Sequence, residues 1–133
     1  MTSPIRTAAC SCGQLSATVS ADPLRISVCH CLNCQRRTGG VFASQARFPA
    51  SAVSITGNSH TYVIVGDEGG RGTFHSCPTC AATVYYTTDF APDTVCIPIG
   101  AFADPSFPAP TVSVYEERMH GWVSMPRDIE HIW

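Results

Sequence analysis

The chain has 133 residues, of which 44% are hydrophobic and 14% charged, with a formal net charge of −2. That length and balance suit one globular domain with a modest core, spanning residues 1–133, and exclude a disordered chain. All eight basic residues are arginine and no long basic run occurs, so nucleic-acid binding lacks electrostatic support, and no apolar stretch approaches the roughly 18 residues a membrane span needs.

The N-terminus reads MTSPIRTAACSCGQL and lacks the apolar run of a signal peptide. The expected location is cytoplasmic, where thiols stay reduced and metal binding is favoured over disulfides. Further along, short segments that alternate, or are rich in β-branched and aromatic residues, predict strands over 14–20, 52–56, 61–65, 83–87, 95–99 and 111–115. Turn signals separate them at Asp22-Pro23, Gly57-Asn58, 66–72 and the proline-rich 104–110. The one helical candidate is short, from about 32 to 37, and is ended by Gly39-Gly40. The expected class is mainly β, with the cysteines at turns or strand ends.

Seven of the eight cysteines fall into three clusters: Cys10-x-Cys12, Cys29-x-Cys31-x-x-Cys34 and Cys77-x-x-Cys80. Sulfurs this close suit a soft or borderline cation, and zinc is the usual occupant. Seven ligands divide into a closed set of four and an open set of three, and an open set leaves a coordination position for substrate or water. Cys77-Pro-Thr-Cys80 has the spacing of a zinc knuckle. Cys10-Ser-Cys12 precedes Gly13, which fits a tight turn. Cys29, Cys31 and Cys34 could wrap one ion together, and His30 between them would point away. Spacing alone does not establish that the outer pairs share one metal while the middle three take another. A middle cluster with a fourth protein ligand, or one of metal-free exchanging thiols, stays open.

The pattern CxCG, then CHCxxCxRxTG, then a later CxxC resembles the glutathione-dependent formaldehyde-activating enzymes. These are the S-(hydroxymethyl)glutathione synthase family with its centromere-protein-V-like relatives. The likeness extends to Phe42-Ala43, Thr83-Val84-Tyr85-Tyr86, Asp104-Pro105-Ser106-Phe107 and Trp122-Val123. It implies an Mss4-like zinc-binding β fold with short helical turns and two zinc sites. Cys10, Cys12, Cys77 and Cys80 would form the structural site, and Cys29, Cys31 and Cys34 the catalytic one. It also implies a carbon–sulfur lyase that adds the thiolate of glutathione, its co-substrate, to formaldehyde or a related small aldehyde. The alternative is a non-catalytic, zinc-stabilised module that docks a protein partner. Two positions depart from the family pattern: Ala81 stands where glycine is usual, and Ser76 where an aromatic is common.

Three thiolates give a bound dication a formal −1 charge, so nearby cations would have to compensate. Arg36 and Arg37 follow Cys34 and could pair with the carboxylates of glutathione. Of the remaining residues, Cys96 reads as a buried apolar side chain. His75, two residues before Cys77, is the best candidate to support a metal ligand. Trp122 reads as core, Glu116 and Glu117 as a solvated strand end, and 66–72 as a hairpin connection.

Overall fold

The computed structural model describes residues 3–66 and 68–133. Asp67, inside the expected 66–72 connection, lies outside the described residues. The fold is mainly β. In chain order the strands are β1 (Arg6–Ala9), β2 (Ser16–Val19), β3 (Arg25–Cys29), β4 (Ala43–Pro49), β5 (Val53–Thr56), β6 (His60–Val65), β7 (Arg71–Ser76), β8 (Thr83–Thr88), β9 (Thr94–Pro98), β10 (Val112–Val114) and β11 (Glu130–His131). One α-helix, α1 (Leu32–Thr38), and three 3-10 turns complete the described elements.

Each of the six strands expected from the sequence is present, with slightly different ends. Five more were not expected: β1, β3, β4, β7 and β11. Their sequences explain this. RTAA and ASQARFP are rich in alanine, RGTFHS contains glycine, and RISVC runs into a cysteine cluster. These segments are strands because neighbours pair with them and cover them, which local propensity does not register.

The described strands form two sheets. A three-stranded sheet has the order β1-β2-β5, and an eight-stranded sheet the order β11-β10-β3-β4-β9-β8-β7-β6. The small sheet contributes Ala8, Ala17 and Val19 to the core, and the large sheet contributes Ile26, Ala46, Phe48, Val95 and Ile97. Phe48 is fully buried and stacks at 6.0 Å, tilted, on Phe102. Truncating a side chain of this kind costs about 3–5 kcal/mol.

Side chains alternate along a strand, so the residues between these core positions face the other side of the large sheet. On β3 these are Arg25, Ser27 and Cys29, and on β4 they are Gln45 and Arg47. Register sets Arg25 against Arg47 and Ser27 against Gln45, and then Arg47 against Cys96 of β9. One apolar face therefore makes the core, and the opposite face carries polar groups that lead to Cys29.

The C-terminal segment docks on this sheet through β11, which runs parallel to β10. Ile132 donates its N–H to Ser113 at 2.8 Å and Glu130 to Thr111 at 3.0 Å. Glu116 is buried, not solvated as its sequence context suggests, and its carboxylate lies 2.8 Å from His131 Nδ1. Burial opposes ionisation of Glu116, but hydrogen bonds from His131 and Ser113 outweigh it and hold the carboxyl below its ordinary range. The Glu116 hydrogen bond raises His131 in turn. A depressed carboxylate stabilises above its unfolded pKa and loses that stabilisation as pH falls. A raised histidine stabilises below its unfolded pKa and loses that stabilisation as pH rises through its folded value. The clasp should therefore be tightest between about pH 4.5 and 6.5. Hydrogen-exchange protection of Ile132 and Glu130 is expected to peak in that window, and the alkaline decline should vanish in His131→Ala. Protection that stays flat from pH 6 to 9 in the wild type would contradict the clasp.

Candidate metal centres and the adjoining cavity

The outer cysteines converge. Cys10 Sγ lies 3.7 Å from Cys12 Sγ, Cys12 Sγ lies 3.6 Å from Cys77 Sγ, and all four sulfurs, with Cys80, fall within 4.8 Å of one another. A tetrahedron with metal–sulfur bonds of about 2.3 Å has edges of about 3.8 Å, so the set fits one zinc-sized ion. Local turns place the ligands. Cys10 follows β1, and the loop back to β2 closes with Gly13 N–H on Cys10 O at 3.1 Å, Gly13 having φ 85°. Cys77 follows β7, and its sulfur accepts N–H bonds from Thr79 and Cys80 at 3.3 and 3.5 Å.

The side chain of Gln14 is a support that sequence reasoning missed. Its amide donates to Cys77 Sγ at 3.1 Å and to Asn58 O at 2.7 Å, and its oxygen accepts from Asn58 N–H at 3.0 Å. Only a glycine allows this approach. A Cβ on Gly57, where φ is +100°, would stand 1.8 Å from Gln14 O. Burial works against a Cys77 thiolate, yet the N–H groups of Cys80, Gln14 and Thr79 bring its pKa down to about 6. The Gln14 N–H favours the Cys12 thiolate, but the adjacent sulfurs of Cys77 and Cys10 push it up to about 11. Sulfurs crowded in this way share protons or a cation. His75 is not part of the cluster: its Nδ1 is engaged by Ser59 Oγ at 2.8 Å and its ring stacks on Tyr85 at 4.1 Å.

Ala81, after the knuckle, has φ 68°. A left-handed L-residue costs about 1–2 kcal/mol, and glycine returns part of that relief through its greater unfolded-state freedom. Ala81→Gly should therefore stabilise the protein by about 0.5–1 kcal/mol. Denaturant titration reads this directly, and a destabilised variant would show that the turn is not strained.

The middle cluster sits where β3 meets α1. Cys29 ends the strand, and Cys31 is the residue that caps the helix, with φ −60° and ψ 154°. Its sulfur accepts the Cys34 N–H at 3.3 Å. Cys29, Cys31 and Cys34 thus bring their sulfurs within 4.8 Å, and among the described residues no fourth Cys, His, Asp or Glu joins them. Hydrogen bonds from Cys29 and Cys34, then the helix N–H groups, pull the Cys31 thiol far down against its burial. Cys29, which shares its proton with Cys31 and Cys34 and is buried, is pushed far up. Gln35 anchors the helix, donating to His30 O at 2.8 Å and Arg118 O at 3.1 Å and meeting His120 Nε2 at 2.9 Å. His30 points away from the sulfurs, as expected, with Nε2 on Ser113 Oγ at 2.9 Å.

Two adjoining hollows flank this cluster. One, of about 330 Å³, is lined by Cys31, Cys34, Arg37, Phe74 and Tyr115. The other, of about 570 Å³, is lined by Cys29, Cys34, Tyr86 and Cys96 together with Arg25, Gln45 and Arg47. The two expected arginines separate. Arg37 is half-buried over Phe74 and Tyr86, at 4.6 and 5.5 Å, with Nε buried and unpartnered. Arg36 is exposed on a neighbouring groove beside Cys31 and Glu117. Cys96 is buried as expected, whereas Trp122 is 76% exposed and not part of the core.

Comparison with known proteins points to one family. Residues 5–118 match the family model described as glutathione-dependent formaldehyde-activating enzyme. A protein of Emericella nidulans, provisionally named a glutathione-dependent formaldehyde-activating enzyme, is 26% identical over 76 residues. That match covers 57% of this chain but only 38% of the Emericella nidulans protein. A crystal structure of a Rhodobacter sphaeroides protein superposes with a TM-score of 0.57 at 19% identity, covering 77% of this chain and 90% of that one, and it shows the shared fold. With the family match spanning most of the chain and both cysteine groups assembled within it, this protein belongs to the glutathione-dependent formaldehyde-activating enzyme family.

Proposed function

We propose that this protein is a zinc-dependent carbon–sulfur lyase of the S-(hydroxymethyl)glutathione synthase type, acting on glutathione and formaldehyde or a related small aldehyde in the cytoplasm. The observation that carries the reading is a three-sulfur cluster that opens onto a cavity beside a half-buried arginine, Arg37, whose Nε has no hydrogen-bond partner among the described residues. Cys10, Cys12, Cys77 and Cys80 are assigned to a structural zinc, and Cys29, Cys31 and Cys34 to a catalytic one. Zinc held by the three would supply a Lewis-acidic position that favours the thiolate form of an incoming thiol.

The chain's own residues do the rest. Arg37 lies beside Cys34 and contributes positive charge where the sulfurs concentrate negative charge. Phe74 and Tyr86 hold its guanidinium in place by stacking. Arg36, on the neighbouring groove beside Cys31, is assigned to a carboxylate of the thiol. In the reaction the thiolate forms a C–S bond to the aldehyde carbon, the C=O π bond becomes an alkoxide, and that oxygen takes the proton the thiol released. Nothing is oxidised or reduced.

The test is direct. Carbon-13 formaldehyde and glutathione, followed by NMR exchange between free aldehyde and adduct, should equilibrate faster with the protein than without it. An unchanged exchange rate with fully metallated protein would sink the reading. A second reading, a zinc-stabilised docking module, draws support from β6. It is an edge strand that exposes Tyr62, Val63 and Val65, as a surface for strand addition would.

A further inference from the structure

Arg25 and Arg47 face each other directly across the antiparallel β3–β4 pair. Like charges placed opposite in this way repel. Among the described residues the ion pairs are Arg6–Asp22 and His131–Glu116, so neither arginine has a carboxylate partner there. Both line the larger hollow, the one that reaches Cys29 and Cys34. Arg47 is held by Thr94 Oγ1 at 2.6 Å and Thr88 Oγ1 at 3.2 Å, with its guanidinium over Phe90 at 5.0 Å. This leaves donors of a preorganised fork for a ligand.

A second, independent observation lies one step along the same face. Gln45 is only 8% exposed and lines the same hollow. Its amide nitrogen donates to Ser27 Oγ at 2.7 Å, but its Oε1 is buried without a partner. A buried acceptor left unsatisfied costs free energy, and a ligand N–H would remove that cost. Two unpaired cations beside one orphaned acceptor match a carboxylate next to an ammonium. Glu68 and Glu117, which also line the hollow, add negative charge that favours an ammonium and disfavours a bare anion.

We infer that Arg25, Arg47 and Gln45 seat the α-amino-acid head of the thiol substrate, its carboxylate on the two guanidiniums and its ammonium on Gln45 Oε1. In glutathione this is the γ-glutamyl end, so the inference rests on the thiol proposed above. The span is suitable. Arg25 and Cys29 lie four residues apart on an extended strand, about 13 Å between Cα atoms. Fully extended, the γ-glutamyl-cysteinyl part of glutathione covers about 10 Å from its α-carboxylate to its sulfur, and the arginine side chain closes the remainder. The sheet face thus measures the thiol from head group to sulfur.

Calorimetric titration of the metallated protein with S-methylglutathione, whose sulfur is blocked, tests the seat apart from the chemistry. S-methylcysteinylglycine, which lacks the head group, is the control ligand. Arg25 is exposed and its side chain makes no hydrogen bond or ion pair among the described residues, so Arg25→Gln should fold and melt as the wild type does. It should bind S-methylglutathione about tenfold more weakly, or about 1.4 kcal/mol. Its affinity for the control should be unchanged, and Arg25→Lys should recover part of the loss. If wild type and Arg25→Gln bind S-methylglutathione equally, the seat is wrong and the glutathione reading stands. A similar loss for both ligands also overturns it. If the wild type binds neither, the glutathione reading fails and the seat falls with it.

Discussion

Cys77→Ser is expected to lose one metal equivalent per chain and to melt roughly 15 °C lower than the wild type. That shift corresponds to about 4 kcal/mol, the upper end for a single substitution. The size follows from where the sulfur sits. Cys77 is buried, meets Cys12 across 65 residues of sequence, and ties the end of β7 to the end of β1. The small and large sheets share one core here, and an ion held by the four sulfurs would add a cross-link at its edge. Structural zinc sites in peptides supply about 10–16 kcal/mol of apparent binding energy, most of which is folding energy. Serine retains a hydroxyl that could still meet Gln14 but contributes no thiolate. Metal analysis by mass spectrometry and a circular-dichroism melt read the two effects together. A variant with full metal content and an unchanged melt would show that the four sulfurs do not hold a common ion.

Cys31→Ser is expected to act on chemistry and to spare the fold. Removing partners one shell outside a metal ligand costs 10–100-fold, so losing the ligand should lower kcat/KM at least a hundredfold. Serine is the informative replacement because Cys31 also caps α1 through the Cys34 N–H. Serine is a strong capping residue, so the helix keeps its N-terminal bond. Alanine would lose cap and ligand at once, with about 1 kcal/mol of stability confounding the result. The serine variant should retain the metal of the Cys10–Cys80 group, melt within a few degrees of wild type, and fail to accelerate adduct formation. Full activity together with full metal content would remove Cys31 from the mechanism.

Much of the candidate site was legible because chemistry and spacing coincide in the cysteines. A CxC and a CxxC need no knowledge of the fold to read as ligands, and Gly39 marked the end of α1, where φ is 72°. Strands with alternating or β-branched sequences, such as β6 and β8, were legible for the same local reason. β4 was not, because an alanine-rich segment becomes a strand only when β3 and β9 flank it. The misplaced residues follow one pattern. Trp122 is apolar but exposed, and Glu116 is charged but buried, because His131 arrives from fifteen residues away to pair with it. His75 lies close to Cys77 in sequence, yet strand geometry turns it to Ser59 and Tyr85.

From the order of its residues alone, this chain declares three clusters of sulfur ligands and a mainly β scaffold, since both are short-range properties of spacing and side-chain type. Folding in three dimensions decided the rest: that Cys12 meets Cys77, that Arg37 turns inward while Arg36 stays out, and that Arg25 and Arg47 stand opposite one another above Gln45. Those juxtapositions depend on strand register and on which face of a sheet is covered. Both are set by packing between segments far apart in the chain, where local sequence carries no signal.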